Sequence, residues 1–454
     1  MTEHADGQPS FLQNLRRNTL VQGIAIGTLA LILQIPVLFI QGIVWEREGT
    51  RQEAINEITG KWGKQQEVFG PFLVVPYLKY RTLQTEEGKP PKTEVYEGHA
   101  TFLPSDLRVD GSLATEVLYR GIFEAPVYQS QLGYEGSFDR PDFDGWAISP
   151  EDILWDRAEL IMEVADPRAI QEAVQIDWAG ETLAFEPGTG RRRTERAGIH
   201  VPLGDGLDGD TLSFSYVLEL NGSMRLGFAP VGRNTEVGLK GDWADPSFQG
   251  NWLPVSREVT ESGFTARWNI PYLGRSYPQR WRGGDNDEAI TASQFGVDLL
   301  SPVDAHRQTE RSLKYQILFL GLTFLTVWLF EILSGVRLHL IQYGLIGAAL
   351  CLFYLLELSL GEHLGFATAY VIAAAAVIVL VTAYAWAAMR SVRRGSIVGA
   401  VIVSLYGFLY VLLLMEEYSL LVGSIGLFLI LAVIMYVTRH VDWDKPVGTP
   451  VKSS

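Results

Sequence analysis

The chain is short of cysteine. It has one, Cys351, in 454 residues, so neither an intramolecular disulfide nor a cysteine-built metal cluster can form. It is also short of positive charge, with 37 Lys and Arg against 52 Asp and Glu. Between residues 45 and 311 the figures are 27 and 43. Such a region repels phosphate backbones, which argues against nucleic acid as a partner. Familiar catalytic signatures are missing. There is no His-Glu-x-x-His, no Walker A loop and no Gly-x-Ser-x-Gly, so no motif points to a zinc protease, a P-loop NTPase or an α/β-hydrolase. No cofactor is expected.

What is present divides into two unlike regions. Residues 45–311 are polar and rich in Gly, Pro, Asp and Glu, whereas 315–437 are almost wholly apolar. A bilayer-spanning helix needs about 20 apolar residues. Six runs qualify: 20–44, 315–335, 338–357, 366–388, 397–415 and 418–437. The first is too long for a signal-peptide core, carries Pro36 in its middle and lacks a small-x-small cleavage pattern, so it is expected to stay as an anchor. The last two are separated by a very short loop and could instead form a re-entrant pair.

Lys and Arg in short loops mark the cytoplasmic side. Arg16 and Arg17 precede the first span, Arg337 follows the second, Arg390, Arg393 and Arg394 follow the fourth, and Arg439, Lys445 and Lys452 follow the sixth. With alternating spans, all of these fall on one side. The opposite loops carry Glu357, Glu362 and His363, or Glu416 and Glu417. Residues 1–19 and 438–454 are therefore expected in the cytoplasm, and 45–311 on the other face of the membrane.

Helical periodicity in the insert is confined mainly to Glu46–Lys61, as an extension of the first span. Beyond that, apolar and polar residues alternate in the period of strands. Candidate strands are Phe72–Tyr80, Thr93–Phe102, Thr115–Phe123, Glu159–Val164, Ala173–Trp178 and Thr182–Phe185, with a helical turn at Pro167–Ala173. In "TLSFSYVLELNGSMRLGF" a three-residue loop, Asn221–Ser223, would pair Leu220 with Met224 and Leu218 with Leu226, keeping apolar residues on one face. The expected fold class is a membrane protein of α+β type. It has six transmembrane helices and a large, mainly β extracytoplasmic domain inserted between the first and second. The five later helices form a bundle over 312–437.

Few stretches suggest a site. "DPSFQGNWLPVSREVTESGFTARW", residues 245–268, is crowded with aromatics. Phe264, Ala266 and Trp268 alternate with polar neighbours, Glu261-Ser262-Gly263 reads as a turn, and Val255, Arg257 and Val259 supply a partner strand. An aromatic hairpin core is the simpler reading. As the alternative, Phe248, Trp252, Arg257, Phe264 and Trp268 form a candidate interaction surface. Glu331, with Arg337, His339 and Gln342 close behind, is the one polar group in the apolar region that suggests function, because an intramembrane carboxylate is costly. It could equally snorkel to the interface and pair with Arg337. Arg191, Arg192, Arg193 and Arg196 form a basic cluster that reads as a solvated loop and, less simply, as a dock for anionic head groups or a wall polymer. Gly204, Gly206 and Gly209 match a dinucleotide pattern by chance, since no helix follows to receive a pyrophosphate. Asp205, Asp208 and Asp210, and Asp285, Asp287 and Glu288, read as solvated turns rather than Ca²⁺ loops. His99 and His200 fall in strands and read as structural.

Several longer stretches resemble one family. They are "FGPFLVVPY" (69–77), "FLPSDLRVDG" (102–111), "EPGTG" (186–190), "GIHVPL" (198–203), 245–268, "FEILSGVRLHLIQY" (330–343) and "EHLGF" (362–366). In this order they are similar to the CreD family, inner-membrane proteins of cell envelope integrity. The Arg191–Arg193 cluster is not part of that likeness. The resemblance implies a cytoplasmic-membrane protein tied to a two-component response to carbon source and to β-lactam or envelope stress. It supplies no catalytic residues. Three roles are open. The first is a non-enzymatic envelope protein whose exported domain contacts periplasmic or cell-wall proteins. The second is a transporter or flippase using the bundle, and the third a membrane enzyme acting on lipid or peptidoglycan. Oligomeric state is left open.

Overall fold

The structure is a computed structural model of the chain that describes residues 19–83, 92–192, 196–204, 206–207, 209–283, 286–299, 305–334, 338–415 and 418–439. Helices α1 (Thr19–Ile32) and α2 (Gln34–Trp62) come first. Four long strands follow: β1 (Gln66–Leu83), β2 (Lys92–Phe102), β3 (Asp106–Arg120) and β4 (Phe123–Asp139). Shorter ones are β5 (Glu159–Val164), β6 (Gln175–Trp178), β7 (Glu181–Ala184), β8 (Glu186–Pro187) and β9 (Gly198–Pro202). Then come β10 (Thr211–Ser223), β11 (Arg225–Phe228), β12 (Asn234–Gly241), β13 (Pro246–Gly250), β14 (Ser256–Thr260), β15 (Gly263–Pro271) and β16 (Arg280–Arg282). A short helix α3 (Asp287–Ala292) leads to β17 (Phe295–Leu299). Five helices end the chain: α4 (Ala305–Ser334), α5 (Leu340–Leu364), α6 (Phe366–Met389), α7 (Val392–Leu414) and α8 (Ser419–Thr438). They fall into two compact units, Met1–Arg51 with Val303–Ser454, and Gln52–Pro302.

The second unit is built on two sheets. One runs β13-β17-β11-β1-β5-β9-β8, with β2 also on β1 and β16 on β2; the other runs β14-β15-β12-β3-β4-β10-β6-β7. In the second sheet every other residue is buried, as in β3, β10 and β15. That period of two gives one apolar face and one polar face. Trp178, Tyr134, Phe138 and Trp268 fill the core from this sheet, and Phe72, Leu160 and Phe295 from the other. Strand β5 is buried along its whole length, so the outer face of the first sheet is covered as well. Gln66 is wholly buried and ties three segments together. Its side chain donates to the Asn221 carbonyl at 2.9 Å and accepts from the Asp166 N–H at 3.2 Å.

Two strand expectations are corrected. The chain does not turn back at Asn221–Ser223. Strand β10 continues against β4 as far as Ser223↔Val127, and β11 then pairs with β1 and β17 in the other sheet. Met224, with φ of 60°, makes the crossing. Gly222 serves packing rather than a turn, because a Cβ there would sit 2.3 Å from the Tyr128 ring. Thr115–Phe123 is likewise not one strand. Its last residues are the turn between β3 and β4, where Arg120 pairs with Phe123 and Gly121 takes φ of 62°.

Among the described residues, six helices are long and apolar enough to cross a membrane: Leu20–Trp62, Gln308–Ile332, Leu340–Leu364, Phe366–Met389, Val392–Leu414 and Ser419–Thr438. The first is broken at Leu33, between α1 and α2. Pro36 lies in the first turn of α2, where its missing N–H is tolerated. The last two are helices of 23 and 20 residues, each long enough to cross a bilayer. Helix α5 runs to Leu364. Glu357, Glu362 and His363 therefore lie on it and not in a loop as expected; only the expected end of that apolar run, at 357, hid this. Packing between α6 and α7 uses small residues, as membrane helices do. A Cβ on Gly395 would strike Trp386, and one on Gly399 would come within 2.6 Å of Thr382.

Candidate functional site

Glu331 sits near the end of α4 and is 1 % exposed. Its Oε1 accepts from Gln22 Nε2 at 2.8 Å and from the Leu338 N–H at 3.1 Å, and its Oε2 accepts from the Tyr343 hydroxyl at 2.8 Å. This carboxylate thus joins α1, the end of α4 and the start of α5. His339 and Gln342 lie beside it with another task. Gln342 Oε1 accepts from the His339 N–H at 2.8 Å, and His339 Nδ1 accepts from the Ile341 N–H at 3.3 Å. Together they cap the first turn of α5. Arg337 lies outside the described residues. The structure therefore brings three of the four residues together around one helix turn.

A second carboxylate was missed by reading α5 too short. Glu357 is fully buried in the same unit. Its Oε2 accepts from the Ser312 hydroxyl at 2.9 Å, while Oε1 has no hydrogen-bond partner among the described residues. Tyr354 and Tyr370 pack nearby in the aromatic core around Phe353. Extending the helical period of α5 by two turns would have revealed it.

The aromatic stretch crosses between the sheets. Phe248 lies on β13, and Phe264 and Trp268 on β15. Their rings meet edge to face at 5.9 and 5.8 Å. Phe264 and Trp268 are 3 % and 0 % exposed, so these two belong to the core and not to an interaction surface. Alternation along β15 drives both inward. Trp252 is half-buried, its carbonyl accepting from Trp268 Nε1 at 3.1 Å. Arg257, on the edge strand β14, is exposed.

Arg257 borders a groove of about 850 Å³ on the polar face of the eight-stranded sheet. Register lines up Arg267, Gly238, Asp110, Gly133 and Val217 across five strands. The two glycines leave this row low. The adjacent row carries Thr265, Lys240, Ser112 and Gln131. The groove therefore offers both charge signs, hydroxyls and an amide on a rigid sheet. Neither Gly133 nor Gly238 carried a signal in the sequence, since strand pairing alone makes them neighbours.

The basic cluster is not a solvated loop. Arg192 Nε donates to Glu163 at 2.7 Å, and its Nη2 pairs with Asp287. Arg191 bonds Glu97 at 2.9 Å, and Arg196 bonds Glu67 at 3.2 Å. The Arg192 and Arg196 guanidiniums also cover the Phe72 and Phe69 rings, each at 4.3 Å. Carboxylates from β1, β2, β5 and α3 thus occupy these cations, which leaves a head group little to bind. Arg193 lies outside the described residues, as do Asp205, Asp208 and Asp285. Asp287 is an ion-pair partner and not a solvated turn residue. His200 lies on β9 with Nδ1 3.0 Å from the Gly188 carbonyl, and His99 lies on β2.

Two comparisons with known proteins bear on this architecture. The family model described as "Inner membrane protein CreD" matches residues 18–444. The chain belongs to the CreD family. It is also 32% identical over 418 residues to the protein named "Inner membrane protein CreD" of Escherichia coli (strain K12), covering 91% of each chain. The CreD match takes in both units, the β sheets as well as all six candidate spans. This is a membrane protein with six spanning helices and a sheet-rich domain between the first and second.

Proposed function

We propose that the chain is a non-enzymatic protein of the cell envelope. It sits in the cytoplasmic membrane with both ends in the cytoplasm and the sheet-rich unit on the outer face. There the groove of the eight-stranded sheet holds a periplasmic or cell-wall protein during envelope and β-lactam stress. The groove carries this reading. It is broad, preformed and polar, it is lined by Asp110, Lys240, Arg257 and Arg267, and a rigid sheet surface of mixed charge suits a polar partner. The biased distribution of arginine supports the orientation, and the relative's name supports the membrane.

A deletion strain challenged with β-lactam and detergent tests it. Complementation uses the full chain, a chain lacking the sheet-rich unit, and the groove variant Asp110→Arg with Arg267→Glu. The expected result is rescue by the full chain alone. Rescue by the groove variant at normal abundance would overturn the groove as the contact, and turnover of a wall or lipid precursor by purified protein would overturn the non-enzymatic role.

A second reading, transport through the bundle, is favoured by Glu357, whose burial and unbonded Oε1 suit a group that binds a proton or solute in transit. Flux into liposomes that is lost in Glu357→Gln would support it, and flux no higher than in empty vesicles would remove it.

A further inference from the structure

We propose that the cleft between α4, α7 and α8 is a binding site for an acidic phospholipid, its acyl chains within the cleft and its phosphate on Arg393 and Arg394. The cleft encloses about 800 Å³ and its walls are apolar, with Leu322, Phe330, Ile397, Phe408, Leu429 and Val437 among them. Two hydroxyls reach it, and both are already satisfied on their own helices. Thr326 donates to the Leu322 carbonyl at 2.7 Å and Ser404 to the Ala400 carbonyl at 2.9 Å. Each hydroxyl can still accept a bond, but two scattered acceptors are too few to hold ordered water there. Cavities of this size and polarity are those that hold small apolar ligands.

Helix α8 makes the cleft accessible to lipid. None of its residues is buried. It meets α7 where a Cβ on Gly426 would come within 2.2 Å of Phe408, and one on Gly423 within 3.7 Å of Leu412. From Gly426 to Val437 its inner side borders the cleft, while Leu429 and Val433 stay 57 % and 61 % exposed.

Charge selects the occupant. On α7 the lining residues Ile397, Ala400, Val401, Ser404 and Phe408 recur at helical spacing. The same stripe continued one turn earlier reaches Arg393 and Arg394. Both belong to α7, and neither has a carboxylate partner among the described residues. They stand in the first turn of a helix whose Ser391 gives no side-chain cap, where backbone N–H groups also favour an anion. Phe330, Ile397 and Val437 lie at the corresponding ends of their helices, so the cleft runs out at this cationic end. A zwitterionic lipid would fill the cleft equally well but would gain less from two arginines.

The test uses the full chain in vesicles of phosphatidylglycerol and phosphatidylcholine in equal amounts, extracted in mild detergent. Native mass spectrometry then counts the lipids that stay bound. Retained phosphatidylglycerol should exceed phosphatidylcholine on the order of tenfold or more, the selectivity expected of two interfacial arginines. Arg393→Ala with Arg394→Ala should bring the ratio to near unity with total lipid retained. The Lys double variant should keep the preference. Ala400→Trp, which fills the cleft, should lose the lipid with thermal unfolding unchanged. Equal retention of both lipids by the native chain, or a preference that the Ala double variant leaves intact, overturns the proposal. So does a dimer that carries no lipid and falls apart in Ala400→Trp, since a second copy would then cover the cleft.

Discussion

The guanidinium of Arg192 lies 4.3 Å from the centre of the Phe72 ring. An arginine therefore forms part of the cover on the first sheet, stacked on an aromatic while its edge bonds Glu163 and Asp287. Glu163 is 2 % exposed, and a buried carboxylate deprived of its partner is costly. Arg192→Ala should destabilise the protein by about 3–5 kcal/mol, read by chemical unfolding in detergent. Arg192→Met combined with Glu163→Gln should lose less than Arg192→Ala alone, because the buried Glu163 charge is then not stranded. Equal losses would show that the ring contact, and not the ion pair, holds the loop.

Gly222 offers a cleaner test of packing. Its substitution by Ala forces a methyl group against Tyr128, whose hydroxyl donates to the Arg225 carbonyl at 2.7 Å. Overpacking of this kind costs about 1–3 kcal/mol. A Gly222→Ala variant should lose that much, and little of it should return when Tyr128→Phe is added, since the ring carbons Cζ and Cε2 that the methyl group would strike remain. A variant as stable as the native chain would mean that the segment is a flexible turn after all.

Glu331 should behave as a structural junction. Glu331→Ala strands the half-buried Gln22 amide and the buried Tyr343 hydroxyl, and the buried donor alone is worth about 1–3 kcal/mol. Tyr343→Phe removes a single bond and should cost about 1 kcal/mol. Thermal unfolding in detergent should rank the native chain above Tyr343→Phe, and Tyr343→Phe above Glu331→Ala. A Glu331→Ala protein of native stability that fails to complement the deletion strain would reassign Glu331 to function.

Asp166 gives a pH signature. Arg168 forks onto it with two bonds of 2.8 Å and holds its carboxyl below the usual aspartate range, against a smaller opposing effect of burial. A lowered carboxyl pKa adds stability that is complete above the unfolded value, about 3.9, and drains away as pH falls through the folded one. Asp166→Asn should therefore be less stable than the native chain at pH 7, with the difference shrinking below about pH 4. Melting curves from pH 7 to 3 would show it, and a difference that stays constant would rule the linkage out.

How far the sequence reaches depends on the range of the interactions involved. The spans were legible because a bilayer imposes a local demand, a run of apolar residues, and "LIQYGLIGAALCLFYLLELSL" meets it. The same rule hid Glu357, since a charged residue was taken to end the run. In the sheets, period-two patterns located β6 and β15 because burial of one face is written residue by residue. They found the alternating part of β10 but misplaced its end, where the buried Asn221, Gly222 and Ser223 look like a turn until Tyr128 is brought beside them. The arginine loop failed for the same reason. Its carboxylates come from Glu67, Glu97, Glu163 and Asp287, and only the folded sheet gathers them. Trp268 and Phe264 were readable as core by alternation, whereas the groove above them rests on register between five strands.

Strand β1, the first made, pairs along Gln66–Val68 with Leu226–Phe228 of β11, and β11 in turn pairs with Phe295–Asp298 of β17. Pairing between such distant segments is slow, because a large loop must close before any bond rewards it. A nascent chain that has not yet reached Leu299 carries β11 with one edge uncovered, and an uncovered edge invites pairing with another chain. The sheet-rich unit therefore assembles late and nearly all at once. Until then it depends on whatever machinery keeps unfinished chains apart. Faults in its biogenesis would surface as aggregation of truncated or stalled products rather than as partly active protein.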